Sequence, residues 1–139
     1  MDKLFVDTDV IIDFLTDREP HSYYSSQVFD LAEKNKVVVY VSSLSINNVY
    51  YVARKMLGDK KAREVISILT SLVSIWPVNG DDIITALESD FKDFEDAVQH
   101  ACARRIQGVQ LILTRNTKDY KKSKLAVFTP ESFIKGLSQ

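Results

Sequence analysis

Four places in this chain put oxygen-bearing side chains where a fold does chemistry. Asp7 closes the apolar run Leu4-Phe5-Val6, inside Phe5-Val6-Asp7-Thr8-Asp9. Ser42-Ser43 follows the β-branched run Val37-Val38-Val39-Tyr40-Val41, and Asn47-Asn48 comes about one helical turn later. Asp93, Glu95 and Asp96 open a helical stretch, Phe94 to Arg105. Thr114-Arg115-Asn116 follows Leu111-Ile112-Leu113, with Asp119 three residues on. Carboxylates gathered in one place repel, which raises their pKa values unless a cation neutralises them. Oxygen donors without His or Cys suit hard Mg2+ or Mn2+. Such ions activate water and stabilise both the attacking and the leaving oxygen of phosphoryl transfer.

The elements that must position these groups alternate along the chain. Leu4–Val6, Val37–Val41, Val73–Val78, Leu111–Leu113 and Leu125–Phe128 read as short strands, and Pro77 puts the third at an edge or a strand end. Ile46, Val49, Tyr50, Ala53 and Leu57 form a helical stripe that Gly58 stops. Ala62, Val65, Ile66, Leu69 and Leu72 form another. Tyr24, Val28, Leu31 and Ala32 mark a helix after Pro20, and Thr129-Pro130-Glu131 reads as a cap, a first-position proline and an acidic first turn. Strands separated by helices predict an α/β fold: a three-layer α/β/α sandwich around a mostly parallel sheet of about five strands. Residues 1–139 read as a single domain. In such a sheet ligands bind beyond the carboxyl ends of the strands, and all four acidic or polar sites fall there.

Each residue also has a plainer role available. Asp9 is expected to cap a short helix Val10–Leu15 and Asp13 to be a solvated helix residue. Asp93 and Glu95 suit a helix N-terminus by the dipole alone. His100 is expected to be partly buried and hydrogen-bonded, and Cys102 to be packing. The case for a site rests on the convergence of the four places.

Composition removes competing chemistries. The 139 residues hold four isolated glycines, one cysteine and two histidines, which excludes a P-loop, a GxGxxG fingerprint, an internal disulfide, a CxxC knuckle and HExxH zinc chemistry. No apolar run approaches the roughly 20 residues of a membrane span, and Met1-Asp2-Lys3 does not open an export signal, so a cytoplasmic location is expected. The net charge of −1 hides segregation. Residues 104–124 carry seven basic side chains against Asp119, and residues 81–96 carry seven acidic ones against Lys92. A basic rim beside an acidic metal pocket suits a phosphate backbone. Arg115, Lys118, Lys121 and Lys122 are the candidates for contacts to such a backbone, which the family resemblance given next implies is RNA.

In order, the four blocks resemble the PIN-domain family of metal-dependent ribonucleases, in particular the VapC-type toxins. They are Phe5-Val6-Asp7-Thr8-Asp9-Val10-Ile11-Ile12-Asp13, Val41 to Tyr50, Asp93 to Ala103, and Leu113-Thr114-Arg115-Asn116-Thr117-Lys118-Asp119-Tyr120. The resemblance implies a Mg2+-dependent endoribonuclease (Mn2+ as an alternative ion) hydrolysing RNA phosphodiester bonds through a metal-bound water. It implies that Asp7 and Asp96 hold the metal, that Asp119 completes the site or orients the attacking water, and that Thr114 and Asn116 position Asp119 and the scissile phosphate. It also implies a homodimer and a small antitoxin partner. One position departs from the family: Asn48 stands where a glutamate is usual, which leaves three carboxylates and admits a catalytically weak RNA-binding module as the alternative. A more remote likeness is the Asp-x-Asp opening of haloacid-dehalogenase-type phosphatases, carried by Asp7-Thr8-Asp9-Val10 without a convincing later lysine or Asp-Asp pair.

Overall fold

The computed structural model describes residues 1–137; the last two residues of the expected 1–139 domain, Ser138 and Gln139, lie outside them. Five strands form one sheet: β1 (Asp2–Val6), β2 (Val37–Ser42), β3 (Ser74–Trp76), β4 (Val109–Leu113) and β5 (Ala126–Phe128). Their order is β3-β2-β1-β4-β5 and every pairing is parallel. The central strand β1 carries the run Leu4-Phe5-Val6, which is fully buried, as a parallel strand covered on both faces must be. Its side chains alternate: Leu4 and Val6 join one core, Phe5 the other.

The first core is closed by α1 (Thr8–Leu15), α2 (His21–Glu33), α3 (Ser43–Leu57), α4 (Asp59–Leu72) and α7 (Pro130–Leu137). The opposite face is covered by α6 (Phe94–Arg105) and by Tyr120 at the end of a 3-10 turn, Thr117–Tyr120. The result is the expected three-layer arrangement. Gly58 joins α3 to α4 at φ +82°, a left-handed value that other residues resist. The expected third strand shortens to Ser74–Trp76, with Pro77 just past its end on the sheet edge.

One element was not anticipated. Residues 80–87, within the acidic segment, form α5 (Gly80–Leu87). Asn79 caps it, and the Asp82 carboxylate accepts the Asn79 N–H in return, a complete capping box. Asp82 is nearly fully buried and meets Arg105 through Nε at 2.8 Å and Nη2 at 2.7 Å. Burial works against the Asp82 carboxylate, but Arg105 and the Asn79 N–H outweigh it and hold it below the usual range. Part of the segregated charge is therefore spent across the α5–α6 contact.

Candidate metal centre

The strand order diverges on either side of β1, so the carboxyl ends of β1 and β4 border one crevice. Asp7 sits there. Its backbone N–H continues the ladder to the Leu113 carbonyl at 2.9 Å. Its Oδ1 accepts the Thr8 N–H at 2.8 Å and caps α1; its Oδ2 accepts the Thr114 hydroxyl at 2.9 Å. Both strands therefore fix this buried carboxylate. Helix α1 starts two residues earlier than expected, so the capping residue is Asp7, not Asp9. Asp9 lies in the first turn, where Oδ2 accepts the Arg115 N–H at 3.0 Å. Asp9 Oδ1 is buried without a hydrogen-bond partner among the described residues.

Asp13 is corrected more sharply. It is not a solvated helix residue: its side chain is fully buried and takes both Nε and Nη2 of Arg115. Arg18 approaches it at 3.9 Å. Arg115, counted by sequence with the basic rim, turns its guanidinium inward to this pair. Lys118, Lys121 and Lys122 remain exposed and line, with Asp119 and Phe91, a cavity of about 340 Å³.

Asp96 comes from α6, whose cap is Asp93, accepting the Asp96 N–H at 2.9 Å. Burial raises Asp96, and Asp7, Asp93, Asp119 and Glu95 raise it further, to about 7. Burial likewise lifts Asp7, with help from Asp9, to about 7 even though Thr114 and Thr8 hydrogen-bond it. Tyr120 stands with both. Its buried hydroxyl points to Asp96 Oδ1 at 3.4 Å, and burial, with Asp7 and Asp96 beside it, drives its pKa far upward. It stays a donor to the acids. The sequence shows Tyr120 only as the aromatic that ends the fourth block, with no role of its own; the signal available was a large aromatic closing a turn of otherwise polar residues.

The remaining candidates occupy the rim. Thr114 is fully buried, and its Oγ1 accepts the Asn116 N–H at 3.1 Å. The Asn116 carbonyl accepts the Asp119 N–H at 2.9 Å. Asn116 and Asp119 are exposed, and Asp119 is close enough to raise Asp96. Asn48 reaches across the crevice from α3: its Nδ2 donates to Glu95 Oε1 at 2.9 Å. Glu95, read from sequence as a helix N-terminal acid, thus stands beside the one neutral member of the set.

Behind the acids lies a polar network that no sequence pattern announced. Gln99 is fully buried and donates to Ser45 Oγ at 2.6 Å and Thr8 Oγ1 at 3.2 Å. Thr8 and Ser45 share a 2.7 Å bond, and Ser42 caps α3 through the Ser45 N–H. This network ties the first turns of α1 and α3 to α6. His100 is buried and neutral, its Nε2 accepting the Lys124 N–H at 2.9 Å; burial, with Arg104 and Lys124 nearby, lowers its pKa to about 4. Cys102 is buried packing, with its thiol raised to about 12.

Among the described residues no three of these side chains already converge as ligands. The donor set nonetheless fits a hard divalent cation. It is all oxygen, it is self-repelling, and it includes a buried carboxylate oxygen, Asp9 Oδ1, with no partner.

Comparison with known proteins finds relatives over nearly the whole chain. The PIN domain profile matches residues 3–118. Ribonuclease VapC1 of Aquifex aeolicus (strain VF5) is 34% identical over 137 residues, covering 95% of this chain and 93% of that protein. Among solved structures, a chain of VapBC2 from Rickettsia felis, bound to a DNA fragment from its promoter, superposes with a TM-score of 0.68 at 16% identity, covering 91% of this chain and 98% of that one. Mycobacterium tuberculosis VapC20, a sarcin-ricin loop cleaving toxin, superposes with a TM-score of 0.61 at 21% identity, covering 78% and 86%.

Proposed function

Because the chain belongs to the PIN-domain family, we propose that it is a divalent-metal-dependent endoribonuclease and the toxin of a toxin–antitoxin pair. The observation that carries the reading is the pair Asp7 and Asp96, each raised to about 7 by burial and by neighbouring carboxylates. A set so loaded with like charge favours a cation over water. Mg2+ or Mn2+, when bound, supplies positive charge at the scissile phosphate and a more acidic water.

The chain's own groups divide the remaining work. Asp7 and Asp96 hold the ion, and Asp119 completes the site or orients the attacking water. Thr114 keeps Asp7 in its rotamer through the 2.9 Å bond. Asn116 places Asp119 through its carbonyl. Tyr120 donates to Asp96 and keeps it aimed into the crevice. Lys118, Lys121 and Lys122 grip flanking phosphates as point charges. Asn48 contributes no charge, but its amide holds Glu95, so the fourth carboxylate enters from α6 instead of α3. Glu95→Gln is expected to raise the Mg2+ concentration for half-maximal cleavage by about tenfold, the usual cost of losing a group beside a metal. Superimposable Mg2+ titrations of the two proteins would leave Glu95 a helix-terminal acid only.

The name of the Aquifex relative supports the ribonuclease reading. The structural neighbours, VapBC proteins and a toxin–antitoxin complex, support a small antitoxin partner. A homodimer and a cytoplasmic location complete the proposal; among the described residues no helix is long and apolar enough to cross a membrane. The test is purified protein on mixed RNA with Mg2+, beside an Asp96→Asn control. Metal-dependent internal cuts, lost in the control, are expected. RNA binding without cleavage in any divalent ion would favour the second reading, a PIN-like RNA-binding module, for which the uncharged Asn48 is the motive.

A further inference from the structure

Asp7 and Asp96 repel, so the helices that carry them must be held together by something other than the acids. Asp7 is among the charges that raise Asp96, and among the described residues no basic side chain pairs with either carboxylate. Asp7 caps α1, Asp96 lies in the first turn of α6, and Asn48 faces the crevice from α3.

The Gln99 network lies directly behind each of the three. Thr8 follows Asp7 in the chain. Ser45 precedes Asn48 by three residues on α3, and Gln99 follows Asp96 by three on α6, spacings that put each pair on one helix face. Gln99 Nε2 lies 2.6 Å from Ser45 Oγ and 3.2 Å from Thr8 Oγ1, and the two hydroxyls are 2.7 Å apart. The three side chains close a triangle that joins the three helices of the site. Among the described residues no other side-chain hydrogen bond joins α6 to α1.

Folding alone does not favour an amide at this position. Gln99 is fully buried, and its Oε1 has no hydrogen-bond partner among the described residues. A buried amide oxygen left unpaired is destabilising, and an apolar side chain of similar volume fills such a place without that penalty. A local rule broken in this way, directly behind a set of acids, points to a task at the site.

We propose that Gln99 is a positioning residue for the metal centre: its amide fixes α6 against α1 and α3, so that Asp96 stands beside Asp7 ready for a cation. The inference rests on the metal-dependent reading of the site. Gln99, fully buried, reaches neither ion nor RNA; it acts through the helices that carry Asp7, Asn48 and Asp96. Groups that orient metal ligands from behind typically change metal affinity by about 10- to 100-fold when removed.

The test compares metal affinity with stability. Gln99→Met keeps the volume and removes the amide; Cys102→Ala is a packing control on the same helix. Mn2+ binding is followed by electron paramagnetic resonance, and urea unfolding is measured in EDTA on the same proteins. Gln99→Met is expected to bind Mn2+ about tenfold more weakly than wild type. Its urea midpoint is expected to stay level or rise, because the unpaired Oε1 is gone and the Thr8–Ser45 bond remains. Cys102→Ala is expected to show the reverse, a lower midpoint from lost packing with wild-type Mn2+ affinity. Ser45→Ala is expected to weaken Mn2+ binding too, and adding Gln99→Met to it is expected to weaken binding little further, since both act through one network. Equal Mn2+ affinity of wild type and Gln99→Met overturns the proposal and leaves the metal centre standing. So does a Gln99→Met protein that loses Mn2+ affinity together with a midpoint as low as that of Cys102→Ala, because the residue is then structural. No Mn2+ uptake by wild type removes the metal-dependent reading, and this role with it.

Discussion

Asp7→Asn is expected to cut RNA cleavage by at least about two orders of magnitude and, in EDTA at pH 8, to make the protein more stable than wild type. Asparagine still caps α1, since it is as good an N-cap as aspartate, and Thr114 still finds a partner. What disappears is a charge that the fold disfavours. The unfolded carboxyl titrates near 3.8 and the folded one near 7, raised by burial and by Asp9. Between those values the folded state holds a proton that the unfolded state has released. Stability in EDTA therefore falls as pH rises from about 4 to about 7, and the loss is complete above that. Asp96 acts in the same direction. Removing the Asp7 charge is expected to return about 2–4 kcal/mol at pH 8, and on the order of 5–10 °C in Tm. Little change is expected at pH 4. Cleavage in Mg2+ is expected to fall by at least about two orders of magnitude. Thermal melts at pH 4 and pH 8 check the stability half; an Asp7→Asn protein less stable than wild type at pH 8 contradicts it. Stability and activity are opposed at this residue, which is the ordinary condition of a catalytic charge held in a fold.

Arg115→Ala is expected to give the opposite result, a large loss of stability. Asp13 is fully buried, and Arg115 supplies its two close cationic contacts, with Arg18 farther off at 3.9 Å. Breaking one side of a buried pair leaves an uncompensated charge and costs roughly 3–5 kcal/mol. Urea unfolding is expected to show this at pH 7, and the double variant Asp13→Leu/Arg115→Met is expected to recover much of it. A single-variant loss below about 1 kcal/mol would mean that Arg18 or water takes over the pair. The effect extends to the site, because the backbone of Arg115 holds Asp9 and its neighbour Thr114 holds Asp7. Arg115 is thus a strut between α1 and the end of β4, and its loss is expected to lower activity as well.

The parts of this molecule set by local pattern were readable before any coordinates. Continuous apolar runs marked the strands, 3.6-residue stripes marked α3 and α4, and strand ends and helix starts put Asp7, Asn48, Asp96, Thr114 and Asp119 at one edge of the sheet. What escaped was set by partners distant in sequence. Asp13 reads as a solvated helix residue until Arg115, 102 positions away, is placed against it. Helix α5 lies in a run of acids whose repulsion hides an Asn79 capping box and a buried contact with Arg105. Asp7, not Asp9, caps α1, and the β4 ladder continues onto the Asp7 N–H. The Gln99 network and the Asn48–Glu95 bond join three helices and have no one-dimensional signature.

The most direct measurement is Mn2+ binding by the purified chain at pH 8, followed by electron paramagnetic resonance of the free ion. The wild-type protein is expected to take up Mn2+, and the Asp7→Asn/Asp96→Asn protein, though folded, is expected to bind it at least about tenfold more weakly. Added RNA is expected to be cut only by the protein that binds the ion. Equal Mn2+ uptake by both proteins, or RNA cleavage by wild type that continues undiminished in excess EDTA, would contradict a carboxylate-held metal as the centre of this fold's chemistry.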